Sequence, residues 1–189
     1  MTRESQEPTV AAARQNLFGI VALAGALVAS AGCATVSAEK SSEGQRTLIA
    51  THLETFDDLD FNVFTNQKWT ELHRSHSADI TVYWPDGHST KGIERHIEDL
   101  KAMFVWAPDT RIKEHPVKVG QGEWTAVVGV MEGTFTEAMP IGDGKTIPPT
   151  GKAYKIKMAT FGHWKDGVMD SEYLFWDNQE FMKEIGLGK

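Results

Sequence analysis

The residue best placed to do chemistry is Glu172. It stands in Val168-Met-Asp-Ser-Glu-Tyr-Leu-Phe-Trp-Asp177, an alternating run in which Leu174 and Trp176 share its face. A carboxylate among apolar neighbours is costly to ionise without a partner, so burial should raise its pKa. Such a group can remove a proton α to a carbonyl, or return one to the product. The bland alternatives are a structural ion pair with a buried arginine or histidine, or a place at the wet end of the sheet. Asp170, expected on the same face, speaks for the latter. His73 and His76 are the candidate acid/base partners across a pocket. Their spacing could also put two imidazoles on one metal, with His88 or Asp86 as a third ligand, but a solvated loop is the default and no metal is expected.

Two strands should position Glu172. Ile156-Lys-Met-Ala-Thr-Phe-Gly-His-Trp164 alternates, Lys165-Asp166-Gly167 reads as a three-residue turn, and the Glu172 strand follows. In that register Thr160 faces Glu172, Met158 faces Leu174 and Ile156 faces Trp176. Lys155, Lys157 and His163 fall on the opposite, wet face. Upstream, a helix is expected from about Glu43 to Asn66, with Leu48, His52, Phe56 and Leu59 on its apolar side and Asp57, Asp58 and Asp60 elsewhere. A short helix over Gln67–His73, a strand over Ala78–Trp84 and a Pro85-Asp86-Gly87 turn come next. A second amphipathic helix, Ile93–Val105, places His96 opposite its apolar stripe, hence at the surface. Tyr83 and Trp84 must point to opposite faces of their strand, so one enters the core or pocket and the other does not. Strands over Arg111–Val119 and Glu123–Thr136, a loop over Met139–Gly151 and a closing helix over Asn178–Ile185 complete the chain. Asp177 is expected to cap that helix.

A net charge of −7 and the absence of any basic cluster argue against a nucleic-acid partner. Cys33 is the single cysteine, which excludes an intramolecular disulfide. Residues 1–38 read as an export signal: Arg14 precedes the apolar run Leu17–Val28, and small residues follow. Cleavage before Cys33 would leave a lipid-anchored N-terminus, with Ser30-Ala-Gly-Cys33 as the lipoprotein box. Cleavage after Ala38 would release a free periplasmic protein. Residues 39–45 form a tether and 46–189 the folded domain. No phosphate loop, dinucleotide fingerprint or Ser-His-Asp motif is present.

Helices first and antiparallel strands after is an α+β order. Four pieces of sequence resemble the SnoaL-like polyketide (ester) cyclase branch of the NTF2-like superfamily. They are Ala78-Asp-Ile-Thr-Val-Tyr-Trp-Pro-Asp-Gly87 with Lys91-Gly-Ile-Glu-Arg-His-Ile97; Gly133-Thr134; Ile147-Pro-Pro-Thr-Gly-Lys152; and Lys165-Asp-Gly-Val-Met169 with Phe175-Trp-Asp177 and Phe181-Met-Lys-Glu-Ile-Gly186. The resemblance implies an NTF2-like cone, a curved, mainly antiparallel sheet packed against N-terminal helices around a pocket. It also implies cofactor-independent proton-transfer chemistry on a small apolar carbonyl or polycyclic compound, of cyclase or isomerase type. Homodimers are common in such folds. Substrate contacts are expected from Tyr83, Trp84, Asp86, Met158, Thr160, Leu174 and Trp176. The aspartate usual in the family is replaced here by Leu174, and its facing histidine by Thr160, leaving Glu172 one pleat away. The rival reading is a non-catalytic periplasmic ligand-binding or envelope-interaction module, so the sequence leaves enzyme and binder both open.

Overall fold

The computed structural model describes residues 27–188, with side chains from residue 39. The cleavage sites and the expected lipidation at Cys33 lie outside the residues whose side chains are described. Helix α1 runs over Leu27–Asp58, so the segment read as a tether, residues 39–45, is helical. The unit described below is Ser41–Lys189.

Where the sequence suggested one helix to Asn66, the chain changes geometry. Leu59–Phe64 forms a π-helical turn closed by the Thr65 N–H donating to the Asp60 carbonyl, which also accepts from Thr65 Oγ1 at 2.7 Å. Widening the turn changes the phase of the following side chains, so Asp60 joins Leu59, Val63 and Phe64 among the buried residues. A 3₁₀ turn, Trp69–Arg74, leads into β1, His76–Tyr83, and the short β2, Ser89–Lys91. Helix α2 spans Ile93–Trp106.

The expected strand from Arg111 to Val119 is split into β3, Arg111–Ile112, and β4, Val117–Gln121. Both pair with β5, Trp124–Thr134. The expected loop over Met139–Gly151 contains a small hairpin of β6, Met139–Pro140, and β7, Thr146–Ile147. Strands β8, Ala153–Lys165, and β9, Val168–Phe175, are the long hairpin, and α3, Asn178–Glu184, closes the chain. The sheet order is β2-β1-β9-β8-β5-β3, antiparallel except where β1 runs beside β9 in parallel. Helical and sheet residues meet in one core that includes Phe56, Leu72, Ile80, Phe104, Met131 and Leu174.

The hairpin register differs from the expected one in an instructive way. The turn has two central residues, Asp166 and Gly167, both at positive φ (52° and 84°), so Lys165 pairs with Val168. That is one residue shorter than expected. A bulge then adds one residue on β9, so that Gly162 faces Glu172 and Thr160 faces Leu174. The combined offset is two, and the inward face is preserved. The bulge does displace Asp170, which accepts a hydrogen bond from His163 Nδ1 at 2.7 Å and does not share the face of Glu172.

Candidate active site

An apolar cavity lies between the sheet and the helices. Its walls include Leu59, Phe64, Leu100, Met131, Met158 and Trp176. The space open to the centre of a water molecule is about 40 Å³. That is room for about three waters. Four titratable side chains face it: Asp60, His76, His96 and Glu172.

Glu172 comes from β9, His76 from the first residue of β1, and His96 from the second turn of α2. All three are at most 5% exposed. Glu172 Oε2 lies 3.6 Å from His76 Nε2 and 3.4 Å from His96 Nε2. The first separation exceeds a hydrogen bond, and neither Glu172 Oε2 nor His76 Nε2 has a hydrogen-bond partner. Ser75 explains the orientation of His76. Its hydroxyl donates to the Leu72 carbonyl at 3.1 Å, so its oxygen accepts from His76 Nδ1–H at 2.8 Å. The other nitrogen is then left to face the carboxylate. On His96, Nδ1 is also without a partner.

Burial alone would push the Glu172 carboxyl up, as the sequence suggested. The contact with His76 and the attraction between the two groups, with a smaller attraction to His96, outweigh it, and the net direction is down. Glu172 is therefore held as a carboxylate rather than as a carboxylic acid. Burial, together with His76, lowers His96 to about 4 against the opposing pull of Glu172. Asp60 moves the other way. Its burial, assisted by the charge on Glu172, holds its pKa above the usual range despite the hydrogen bond from His115. Two carboxylates on one cavity with pKa values driven apart is the pattern of a paired general base and general acid.

Asp60 is also tied to the exterior. His115 is buried and donates from Nε2 to Asp60 Oδ2 at 2.8 Å and from Nδ1 to Asp57 Oδ1 at 2.7 Å. Lys118 Nζ reaches Asp57 Oδ2 at 2.6 Å. Burial depresses the His115 pKa, but the two carboxylates more than reverse this and raise it.

Of the residues chosen from sequence, Glu172, His76, Trp84, Met158, Thr160, Leu174 and Trp176 line the cavity. The other three are elsewhere. His73 is exposed and donates to the Thr70 carbonyl from the end of the 3₁₀ turn. Tyr83 lies outside, half exposed and stacked on Tyr173 at 4.3 Å, because strand alternation turns Trp84 inward. Asp86 is exposed on the turn and bonded to His88, so neither can join His76 in the metal set considered from sequence. Conversely, His96 is buried rather than at the surface. Its signal was present, since Leu100 follows four residues later and Met103 seven, on one helical face. Asp60 and His115 were missed as well. Among the described residues, the group of three side chains whose donor atoms converge closely enough to hold a metal ion is His76, His96 and Glu172.

The family model for the SnoaL-like polyketide cyclase matches residues 60–185. The chain belongs to this family. Its fold is similar to that of IdmH, a putative polyketide cyclase from Streptomyces antibioticus, at 19% identity and a TM-score of 0.60, covering 71% of this chain and 98% of the other. A putative SnoaL-like polyketide cyclase from Jannaschia sp. CCS1 aligns at 17% identity and a TM-score of 0.62, covering 74% and 94%. An NTF2-like protein of unknown function from Burkholderia pseudomallei aligns at 14% identity and a TM-score of 0.58, covering 72% and 98%. At these identities the SnoaL-like likeness to solved structures is one of fold, and the α+β cone expected from sequence is the observed one. No curated protein sequence matches the chain.

Proposed function

We propose that this SnoaL-like protein performs cofactor-independent acid/base catalysis on a small, largely apolar carbonyl compound, with cyclase- or isomerase-type proton transfer. The observation that carries the reading is the buried Glu172 carboxylate, whose Oε2 has no hydrogen-bond partner and lies between two imidazoles on an apolar cavity. An ionised carboxylate in such a place is a competent base for a carbon acid. Glu172 takes the α-proton and becomes a carboxylic acid, leaving an enolate. In an isomerisation the same proton returns to a different carbon. In a cyclisation the enolate carbon bonds to a second carbonyl carbon, and the resulting alkoxide takes a proton from Asp60. Proton exchange along Asp60, His115 and Asp57 with solvent, and from Glu172 to solvent on product release, restores the starting state.

The present cavity suits the small end of the substrate range; a polycyclic compound would need its walls to move. Export, with either cleavage before Cys33 and lipid anchoring or release after Ala38, belongs to the same proposal and rests on the pattern of residues 14–38. So does pairing into homodimers, for which Trp124, Phe161 and Phe175 offer exposed apolar surface.

The test is solvent deuterium uptake at the α-carbon of cyclic ketones and β-keto esters, followed by mass spectrometry in the presence of a chelator. Uptake that depends on Glu172 supports the reading. Equal uptake with wild type and Glu172→Gln across the panel removes it and leaves a binding module.

A further inference from the structure

We infer that His76 Nε2, His96 Nε2 and one oxygen of Glu172 form a site for a divalent transition-metal ion of the zinc class. The site stands independently of the acid/base reading above.

The geometry comes first. In a tetrahedral site with bonds of about 2.0–2.1 Å, ligand atoms stand about 3.3 Å apart. The two measured separations from Glu172 Oε2, 3.6 Å and 3.4 Å, are near that edge. All three donors lie within 4.8 Å of one another, so the edge between His76 and His96 is the one the rings would adjust on binding. An octahedral ion would need edges of about 2.9 Å, from bonds of about 2.0–2.1 Å at right angles.

The chemistry agrees. Two imidazoles and a carboxylate are a donor set for zinc and its neighbours, with a fourth position left for water or substrate. That position can open on the cavity that the three residues line. Ser75 holds His76 by its Nδ1, as the outer shell of a metal-bound histidine commonly does. The clearest sign is the pair of partnerless buried atoms, His76 Nε2 and Glu172 Oε2, aimed at each other across 3.6 Å. Buried polar atoms ordinarily have partners, and a cation between them would supply one. The other histidine–carboxylate pairs lack this feature. In His163–Asp170 and His115–Asp57–Asp60 the imidazole nitrogens nearest the carboxylates are already in short hydrogen bonds.

A bound ion would occupy the lone pairs that Glu172 needs as a base, and any proton held among the three groups would leave to solvent.

The experiment is titration of the chelator-treated full chain with Co²⁺, followed by visible absorption, with Zn²⁺ as competitor. One equivalent of Co²⁺ should give the intense band of a four-coordinate ion, and Zn²⁺ should abolish it. Glu172→Gln and His96→Gln, with unchanged circular dichroism, should each weaken binding by about 100-fold or more. Ser75→Ala, which keeps all three ligands, should weaken it about 10–100-fold. His88→Ala, at the exposed pair, should leave it unchanged. The site is overturned if wild type takes up no Co²⁺ with that band, or if folded Glu172→Gln and His96→Gln bind as wild type does. Should both misfold, Ser75→Ala decides: wild-type affinity overturns the site. Deuterium uptake in chelator tests the acid/base reading separately, so either result can fail alone.

Discussion

His115 Nε2 lies 2.8 Å from Asp60 Oδ2, which makes a buried imidazole on the connection between β3 and β4 the direct neighbour of a pocket carboxylate. The same ring bonds Asp57 through Nδ1, so the imidazole bridges the two carboxyl groups and, when it carries both protons, donates to each.

This arrangement fixes a pH dependence. The folded-state pKa of His115 is raised: its burial opposes the charge, but Asp60 and Asp57 favour it more strongly. The unfolded chain releases this proton near pH 6.5, below the folded value. The stabilisation by the protonated ring is thus complete below about pH 6.5 and is lost as pH rises through the folded pKa. Denaturant unfolding of wild type and His115→Gln across pH 5.5–9 (the working range) should show the difference between them shrinking at the alkaline end. A difference that grows with pH would contradict the assignment.

Glu172→Gln should cost little stability, about 1 kcal/mol or less. Among the described residues no lysine or arginine pairs with Glu172 and its Oε2 lacks a hydrogen bond, but His76 and His96 favour its charge enough to offset the burial. Equilibrium unfolding in chelator at pH 7 measures this. A loss of about 3–5 kcal/mol, the usual result of breaking a structural buried pair, would make Glu172 part of the scaffold.

Gly133→Ala should destabilise the fold by about 1–3 kcal/mol. A Cβ there would stand 2.6 Å from Tyr154 Oη and 2.8 Å from its Cζ. The ring cannot yield easily: it is buried, and its hydroxyl shares a 2.7 Å hydrogen bond with Thr110. Thermal unfolding reads the effect, and an unchanged melting temperature would show that Tyr154 has room to move.

Asp177→Ala should cost about 1 kcal/mol, the usual value of a helix N-cap. Its carboxylate accepts from the backbone N–H groups of Gln179 at 2.8 Å and Glu180 at 3.1 Å. Asp177→Ser should recover most of the loss in the same unfolding assay, whereas equal losses in both variants would point to a role other than capping.

The sequence made the inward face of β9 legible although the turn was read one residue too long. A face depends only on the parity of the register, and the bulge between Met169 and Ser171 restored it. Alternation also required Tyr83 and Trp84 to part company, without saying which turned inward; packing of Trp84 beside His96 and Trp176 decided that. His96 was legible from Leu100 and Met103, four and seven residues on, but the sequence reading placed it opposite the apolar stripe of α2. Asp60 was not legible, because a π-helical turn changes the phase on which helical periodicity depends. Nor was the pKa direction of Glu172. The sequence shows apolar neighbours along the strand, whereas the two imidazoles that reverse their effect come from β1 and α2.

Three of the cavity walls are thioethers, those of Met103, Met131 and Met158. Their unbranched chains can change rotamer without moving the backbone, so they provide adaptable walls for incoming molecules. They are also the part of the lining that an oxidant can rewrite. Conversion to a sulfoxide would place a polar oxygen beside the carboxylate, where an apolar molecule must lie, and methionine sulfoxide reductases would reverse it. A pocket built this way carries, in the same side chains, its breadth of accommodation and its sensitivity to peroxide.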